Sequence, residues 1–181
     1  MAAVADEPEL DAGVGIHPAV AATPHSVAFH IVDPTSDDAV AAMRAYFAEL
    51  DGRFVGGFDP GDSLTTDNES MREQNGGIFV VARLGCTVAA CGGVQRHNDY
   101  TGEIKRMWVN PQCRGIGLGR RMLAELEGHI ARLGYGHIVL DTNDVLTEAI
   151  AMYERSGYRE IEAYNDNPFA RHWFTKSAST T

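Results

Sequence analysis

The spacing of apolar positions predicts alternating strands and helices between residues 27 and 176. Apolar runs of strand length predict seven strands, at 27–32, 78–84, 87–95, 103–109, 137–141, 158–163 and 171–176. Apolar positions three or four apart predict helices at 36–50, near 68–74, at 118–133 and at 145–156. Adjacent strands mixed with helical crossovers indicate one domain of α/β or mixed α+β type, in which helices pack on a mixed sheet.

The first 26 residues show neither pattern, and they carry four acidic side chains and no basic one. We therefore expect residues 1–26 to be a disordered tail and residues 27–181 to form a single domain. The same stretch lacks the basic and apolar regions of a secretory signal. The chain also has no run of about 18 apolar residues that would cross a membrane. These features predict a cytoplasmic protein.

Composition narrows the class of partner. The net charge is −10, and residues 1–75 carry 14 acidic side chains against 3 arginines, whereas residues 76–181 carry 11 against 12 basic ones. Such a chain is a poor partner for nucleic acid or an anionic membrane, and its acidic part favours a cationic ligand. Three cysteines and seven histidines without metal-ligand spacing indicate a reducing compartment and predict no metal site.

The segment between residues 109 and 121 carries the strongest chemical signal. Gly115, Gly117 and Gly119 alternate where a strand gives way to a helix, and three arginines flank them. Glycines let the main chain approach a ligand, and the N–H groups of a helix N-terminus attract an anion. A diphosphate suits such a loop. The lysine of a Walker A loop and the third glycine of a dinucleotide-binding loop are both missing.

Two motifs at a characteristic separation resemble the GNAT superfamily of acetyl-CoA-dependent N-acetyltransferases. The first is Arg-x-x-Gly-x-Gly at 114–119, after a strand ending in Met-Trp-Val. The second is Ala-x-x-x-Tyr at 149–153, on a helix that ends in Gly-Tyr at 157–158. The resemblance covers about residues 78–176. It implies a mostly antiparallel seven-stranded sheet, splayed into a V and flanked by about four helices.

The resemblance also implies where acetyl-CoA binds as co-substrate. The pantetheine arm is expected along the strand that ends at residue 109, and the pyrophosphate on the main chain of the glycine loop. Leu146 stands where many members carry Asn, and Asn143, three positions earlier, is the expected substitute. The expected cofactor-binding residues are Met107, Trp108, Val109, Arg114, Gly115, Ile116, Gly117, Leu118, Gly119, Arg120 and Asn143.

Two side chains match catalytic positions of the family. Tyr153 occupies the position whose phenol protonates the leaving thiolate, although its place on an apolar helix stripe also suits a core residue. Glu103 begins the strand at 103–109, where some members carry a general base, although a solvated strand end explains it equally well. Lys105 shares its strand face and is expected to pair with it.

The acceptor is expected between the first helix with its following loop and the turn before the last strand. Candidate substrate residues are Arg53, Asp59, Asn165, Asp166 and Asn167. Acidic groups there favour a small, cationic amine. Acetylation of protein lysines or N-termini is an alternative, and a non-catalytic acyl-CoA-binding module is another. Whether the chain forms a homodimer stays open.

Overall fold

The computed structural model describes residues 27–61 and 68–178, so the predicted tail at 1–26 lies outside the described residues. The strands are β1 (Val27–Val32), β2 (Ile78–Leu84), β3 (Thr87–Asn98), β4 (Thr101–Val109), β5 (His137–Thr142), β6 (Arg159–Ile161) and β7 (His172–Ser177). The α-helices in these ranges are α1 (Asp37–Arg53), α2 (Leu118–Arg132) and α3 (Thr147–Arg155). Residues 68–70 form a further helical turn. Among the described residues, no helix combines the length and apolarity needed to cross a bilayer.

The seven strands form one sheet in the order β1-β2-β3-β4-β5-β7-β6. All neighbours pair antiparallel except β4 and β5, which pair parallel. That parallel pairing joins Thr101–Glu103 to His137–Val139 and includes no later residue of either described strand. The two strands therefore diverge beyond Glu103. The predicted mixed, mostly antiparallel sheet splayed into a V is confirmed.

Helix α2 covers one face of the sheet. Of its predicted stripe of five residues, Leu118, Met122, Leu126 and Ile130 are buried, and Leu133 is half-buried. The close fit depends on Gly92 of β3, where a Cβ atom would come within 2.7 Å of Leu126 Cδ1. Burial of four such side chains stabilises the fold by about 1.5–3 kcal/mol each.

Helical spacing predicts a buried stripe of Val40, Met43, Phe47 and Leu50 in α1 and of Leu146, Ala149, Ile150 and Tyr153 in α3, and both helices differ from it. In α1 the buried positions are Ala39, Ala42, Met43 and Leu50, whereas Val40 and Phe47 are half-buried. Small alanines let the helix lie close to the sheet, and Phe47 then faces a cavity. In α3 only Tyr153 is buried, since Leu146 just before the helix and Ala149 within it also line cavities. Apolar side chains at these helices thus serve the site as well as the core.

Candidate active site

Two cavities lie where β4 and β5 diverge. Their volumes are about 440 Å³ and about 430 Å³. Both are lined by Tyr46, Leu50, Met107, Leu146 and Ala149. We call these five residues the common wall. Because each of them lines both cavities, a ligand in one cavity would lie next to a ligand in the other at this point.

The first cavity gathers most of the residues expected to bind the cofactor. Those that line it are Met107, Trp108, Val109, Arg114, Gly115, Gly117, Leu118, Gly119 and Arg120. Ile116 packs against the hydrophobic core instead. Asn143 lines the second cavity, where its Nδ2 donates to the carbonyl oxygen of Phe169 at 2.5 Å. The structure therefore places nine of the eleven residues at one site.

The glycine loop gives the first cavity its anion-binding character. Gly115 and Gly117 have φ values of 81° and 79°, in the left-handed region that glycine adopts without strain. Gly117 is the N-cap of α2, so the N–H groups of the next residues begin the helix without intrahelical acceptors. These donors and the positive end of the helix dipole suit a phosphate group.

Strand β4 offers a second set of main-chain groups. Beyond Glu103, its edge toward β5 has no strand partner among the described residues. The register between β4 and β3 shifts opposite Gly92. Cys91 pairs with Trp108, whereas Gly93 pairs with Lys105, so two residues of β4 lie opposite Gly92. The resulting bulge contains Arg106, which has a φ of 57°. An extended ligand can add to this open edge as another strand would.

A chain of ion pairs crosses the first cavity. Glu49 on α1 accepts hydrogen bonds from Trp108 Nε1 at 2.9 Å and from Arg114 at 2.5 Å. Arg53, expected from sequence to bind substrate, instead bridges Glu49 at 3.0 Å and Glu148 of α3 at 2.6 Å. The Arg53 hydrogen bond lowers the pKa of Glu148. Sequence reasoning missed Glu49, although its i,i+4 spacing to Arg53 is a recognisable helix ion pair.

The second cavity is walled by aromatic side chains, namely Tyr46, Phe47, Phe54, Phe58, Tyr153 and Phe169. The ring centroids of Phe58 and Phe169 are 4.7 Å apart, and those of Phe47 and Phe58 are 5.6 Å apart. These contacts join the end of α1 to the loop before β7. Sequence reasoning missed them, although aromatic residues in a glycine-rich loop are a usable signal.

Tyr153 is 6% exposed and lines the second cavity. Its ring packs against Tyr158 and Phe174, with centroids 5.8 Å and 5.9 Å away. Burial raises the pKa of the phenol, and the charge of Asp141 raises it further. Burial likewise raises the pKa of Tyr46 in the common wall. Both phenols therefore keep their protons at neutral pH.

Glu103 lies one layer behind the second cavity. Its carboxylate is 4% exposed and accepts from Gln95 Nε2 at 2.6 Å and Tyr164 Oη at 2.9 Å. The predicted pair with Lys105 is present, with 3.1 Å between Nζ and Oε1. Lys105 lines the cavity, but Glu103 is not among its lining residues. The alternative explanation of Glu103 as part of a solvated strand end is wrong, because this carboxylate is buried.

Asp141, at the end of β5, is the carboxylate that lines the second cavity beside Lys105. Its Oδ2 lies 3.6 Å from Lys105 Nζ, and it accepts from Asn165 Nδ2 at 2.7 Å and Asn167 Nδ2 at 3.2 Å. Asn165 and Asn167, expected to bind substrate, thus hold Asp141 in place, and Asn167 also lines the cavity. Sequence reasoning missed Asp141 because a strand-end Asp is common.

The remaining predicted substrate residues differ in position. Asp59 lines the second cavity, where its carboxylate accepts from the N–H of Gly61 at 2.9 Å. Asp166 is exposed and does not line either cavity. In the part of the chain that the structure describes, no three His, Cys, Asp or Glu side chains cluster as a metal site requires.

Comparison with known proteins gives one family. The model of the Acetyltransferase (GNAT) family matches residues 43–158, well over half of the chain. An IAA acetyltransferase of Azospirillum brasilense is 32% identical over 66% of this chain and 78% of its own length. An uncharacterized N-acetyltransferase of Schizosaccharomyces pombe is 37% identical over 51% of this chain, and the match spans 58% of that relative.

A solved structure shares the fold. It is a GNAT family acetyltransferase from Elizabethkingia anophelis with acetyl-CoA bound, at a TM-score of 0.61 and 15% identity. The alignment covers 84% of this chain and 98% of that one. On the family match and the relatives together, the chain belongs to the GNAT family of acetyltransferases and is an N-acetyltransferase enzyme.

Proposed function

We propose that this enzyme transfers the acetyl group of acetyl-CoA to the primary amine of a small molecule, by direct attack in a ternary complex. The observation that carries the proposal is the common wall of the two cavities, at the open edge of β4. Acetyl-CoA in the first cavity and an amine in the second would bring thioester and nitrogen together there. Holding both reactants in this way replaces a bimolecular encounter and lowers the barrier substantially.

The first cavity fits acetyl-CoA. The N–H groups of the loop at 114–120 and the cation of Arg114 suit its pyrophosphate, and the open edge of β4 suits its pantetheine arm. A main-chain N–H in Met107–Val109 would stabilise the oxyanion of the attacked carbonyl. The acetyl-CoA held by the Elizabethkingia protein supports this assignment.

The reaction needs a proton donor, and we assign this role to Tyr153. When the C–N bond forms and the C–S bond breaks, the departing thiolate needs a proton. Tyr153 carries one, because burial raises its pKa, and it lies at the second cavity. Its hydroxyl makes no hydrogen bond to any described residue, so the proton is available to a ligand.

The amine must lose a proton before it attacks and another afterwards. Asp141 faces the cavity and has room for a further donor, since a carboxylate accepts about four hydrogen bonds. We assign it to the ammonium. Glu103, the base expected from sequence, holds Lys105 and Tyr164 from behind and acts through them. Glu103 is therefore a positioning residue in this proposal.

Acetylation of protein chains is the competing function, and the volume of about 430 Å³ and the aromatic lining of the second cavity favour a small acceptor over it. The test is a panel of small amines and of peptides with free N-termini or lysines. CoA release and the mass of each product are measured. Acetylated small amine with inert peptides is expected, whereas acetylated peptide with inert small amines would contradict the proposal.

A further inference from the structure

The apolar lining of the second cavity is more extensive than amine acetylation requires. Phe47, Phe54, Phe58 and Phe169 are all half-buried, so each ring keeps part of its surface at the cavity or solvent. Phe58 contacts the other three rings, with centroid distances of 4.7–5.6 Å. A half-buried aromatic cluster gains free energy when a ligand covers its remaining apolar surface.

The charges around the same cavity limit the charge of the ligand. Two cations line it, Lys105 and Arg106. Three carboxylates balance them, since Asp141 and Asp59 line the cavity and Glu103 pairs with Lys105 from behind. Among the described residues, the sum is one negative charge, which matches one ammonium group.

The positions of these groups separate the two ends of the acceptor. Asp141 and Tyr153 lie on β5 and α3, at the base of the V beside the common wall. The phenylalanines come from α1, its following loop and the loop before β7. An acceptor can therefore place its amine at Asp141 while its body lies among the phenylalanine rings. A cavity of about 430 Å³ accommodates such a molecule, since small-ligand sites span roughly 300–1,000 Å³.

We propose that the acceptor is a monoamine whose amine is borne on an aromatic or similarly flat apolar group. The inference rests on the proposed function. It narrows the small, cationic amine that the acidic groups suggested from sequence alone. In the reaction the amine nitrogen bonds to the acetyl carbon and the C–S bond breaks. The departing thiolate takes the proton of Tyr153. Asp141 takes the first proton of the ammonium and releases it to solvent, and the proton that the nitrogen loses after the attack restores the phenol of Tyr153.

The first experiment compares three primary amines with the full chain and saturating acetyl-CoA. The probes are 2-phenylethylamine, ethylamine (the same amine without the ring) and spermidine, followed by CoA release and product mass. Burying a phenyl group favours the aromatic amine by about ten- to hundredfold in kcat/KM. Equal values for 2-phenylethylamine and ethylamine, or a higher value for spermidine, would overturn the inference.

The second experiment removes the ring at the centre of the cluster. Phe58→Ala is expected to lower kcat/KM for 2-phenylethylamine about tenfold, mainly through KM, and to lower the value for ethylamine by a clearly smaller factor. Tyr100→Ala is the matched control, because Tyr100 is 75% exposed at the turn between β3 and β4. An unchanged calorimetric Kd for acetyl-CoA shows that both variants are folded. Equal losses for both amines would contradict the aromatic role.

The two proposals fail in different ways. Turnover of ethylamine or spermidine without preference for the ring overturns the aromatic acceptor and leaves small-amine acetylation standing. Absence of turnover with every small amine, while acetyl-CoA binds, overturns both.

Discussion

The two cavities have nearly the same volume but are built differently. Nearly half of the residues that line the first come from one continuous segment, residues 107–120, which offers main-chain groups, and the rest come from α1 and from α3 with its flanking residues. The second collects side chains from α1 and its following loop, β4, β5, α3 and the loop before β7. Main-chain recognition depends on backbone shape, which glycines encode locally. Side-chain recognition depends on which distant segments meet, so the acceptor side can change without disturbing the cofactor side.

The largest expected effect separates catalysis from binding at Tyr153, in the second cavity. Tyr153→Phe removes the acid and keeps the ring in its contacts with Tyr158 and Phe174. General acid catalysis is worth about 10²–10⁴-fold, so kcat should fall by that order. The calorimetric Kd for acetyl-CoA should stay within about twofold, and a missing hydroxyl changes stability by about 1 kcal/mol at most.

The pH profile of the wild-type enzyme sharpens this prediction. Burial raises the pKa of Tyr153, so the proton stays on the phenol through the ordinary tyrosine range near pH 10. We expect no alkaline loss of kcat below about pH 10. A decline centred below that value, or a kcat for Tyr153→Phe within a few-fold of wild type, would assign the acid elsewhere.

The next effect distinguishes the two carboxylates of the acceptor side. Asp141→Asn should lower kcat/KM about 10–100-fold near neutral pH, because a charged hydrogen bond to the amine is lost. Activity should recover at higher pH as more amine is deprotonated in solution. Glu103→Gln leaves a side chain of the same shape behind Lys105, so kcat/KM should fall less than about tenfold. A larger loss in Glu103→Gln, with a pH profile of Asp141→Asn parallel to wild type, would return the base role to Glu103.

A substitution in the glycine loop tests the cofactor side. Gly117→Glu places negative charge where phosphates are expected, and repulsion of about 1–4 kcal/mol at 4 Å raises the Kd for acetyl-CoA by roughly fivefold to a thousandfold. Gly85→Glu is the matched control, because Gly85 also has positive φ and open space but lies in the β2–β3 turn. Calorimetry should show similar destabilisation in both variants and weaker acetyl-CoA binding in Gly117→Glu alone. An unchanged Kd in folded Gly117→Glu would remove the pyrophosphate from this loop.

The smallest effect concerns Arg53, which sequence assigned to the acceptor and the structure places beside the first cavity. Arg53→Ala leaves Glu49 and Glu148 without this cation, so acetyl-CoA should bind two- to fivefold more weakly, in keeping with about 0.2–1 kcal/mol for exposed pairs. The KM for the amine should change less than twofold. Glu148→Gln should not weaken acetyl-CoA binding. A selective rise in amine KM for Arg53→Ala would restore the assignment from sequence.

Local sequence signals predicted the elements well. All seven strands lie within a few residues of their predicted positions, because β-branched runs bounded by Gly, Pro and Asn define strands locally. The stripe of α2 and the stop at Gly134, with a φ of 87°, follow from helical spacing and glycine at the helix end. The bulge at Arg106 has no such signal, since it depends on how β4 pairs with β3.

The sequence by itself determined the strand and helix order, the glycine loop and the candidacy of Tyr153, because each is encoded within a short stretch. Tertiary structure decided that Glu103 lies behind Lys105, that Asp141 lines the second cavity and that Arg53 lines the first. It also brought Phe58 to Phe169, 111 positions away along the chain. The burial of a side chain and the cavity that it lines depend on contacts between segments far apart in sequence, and no local periodicity predicts these contacts.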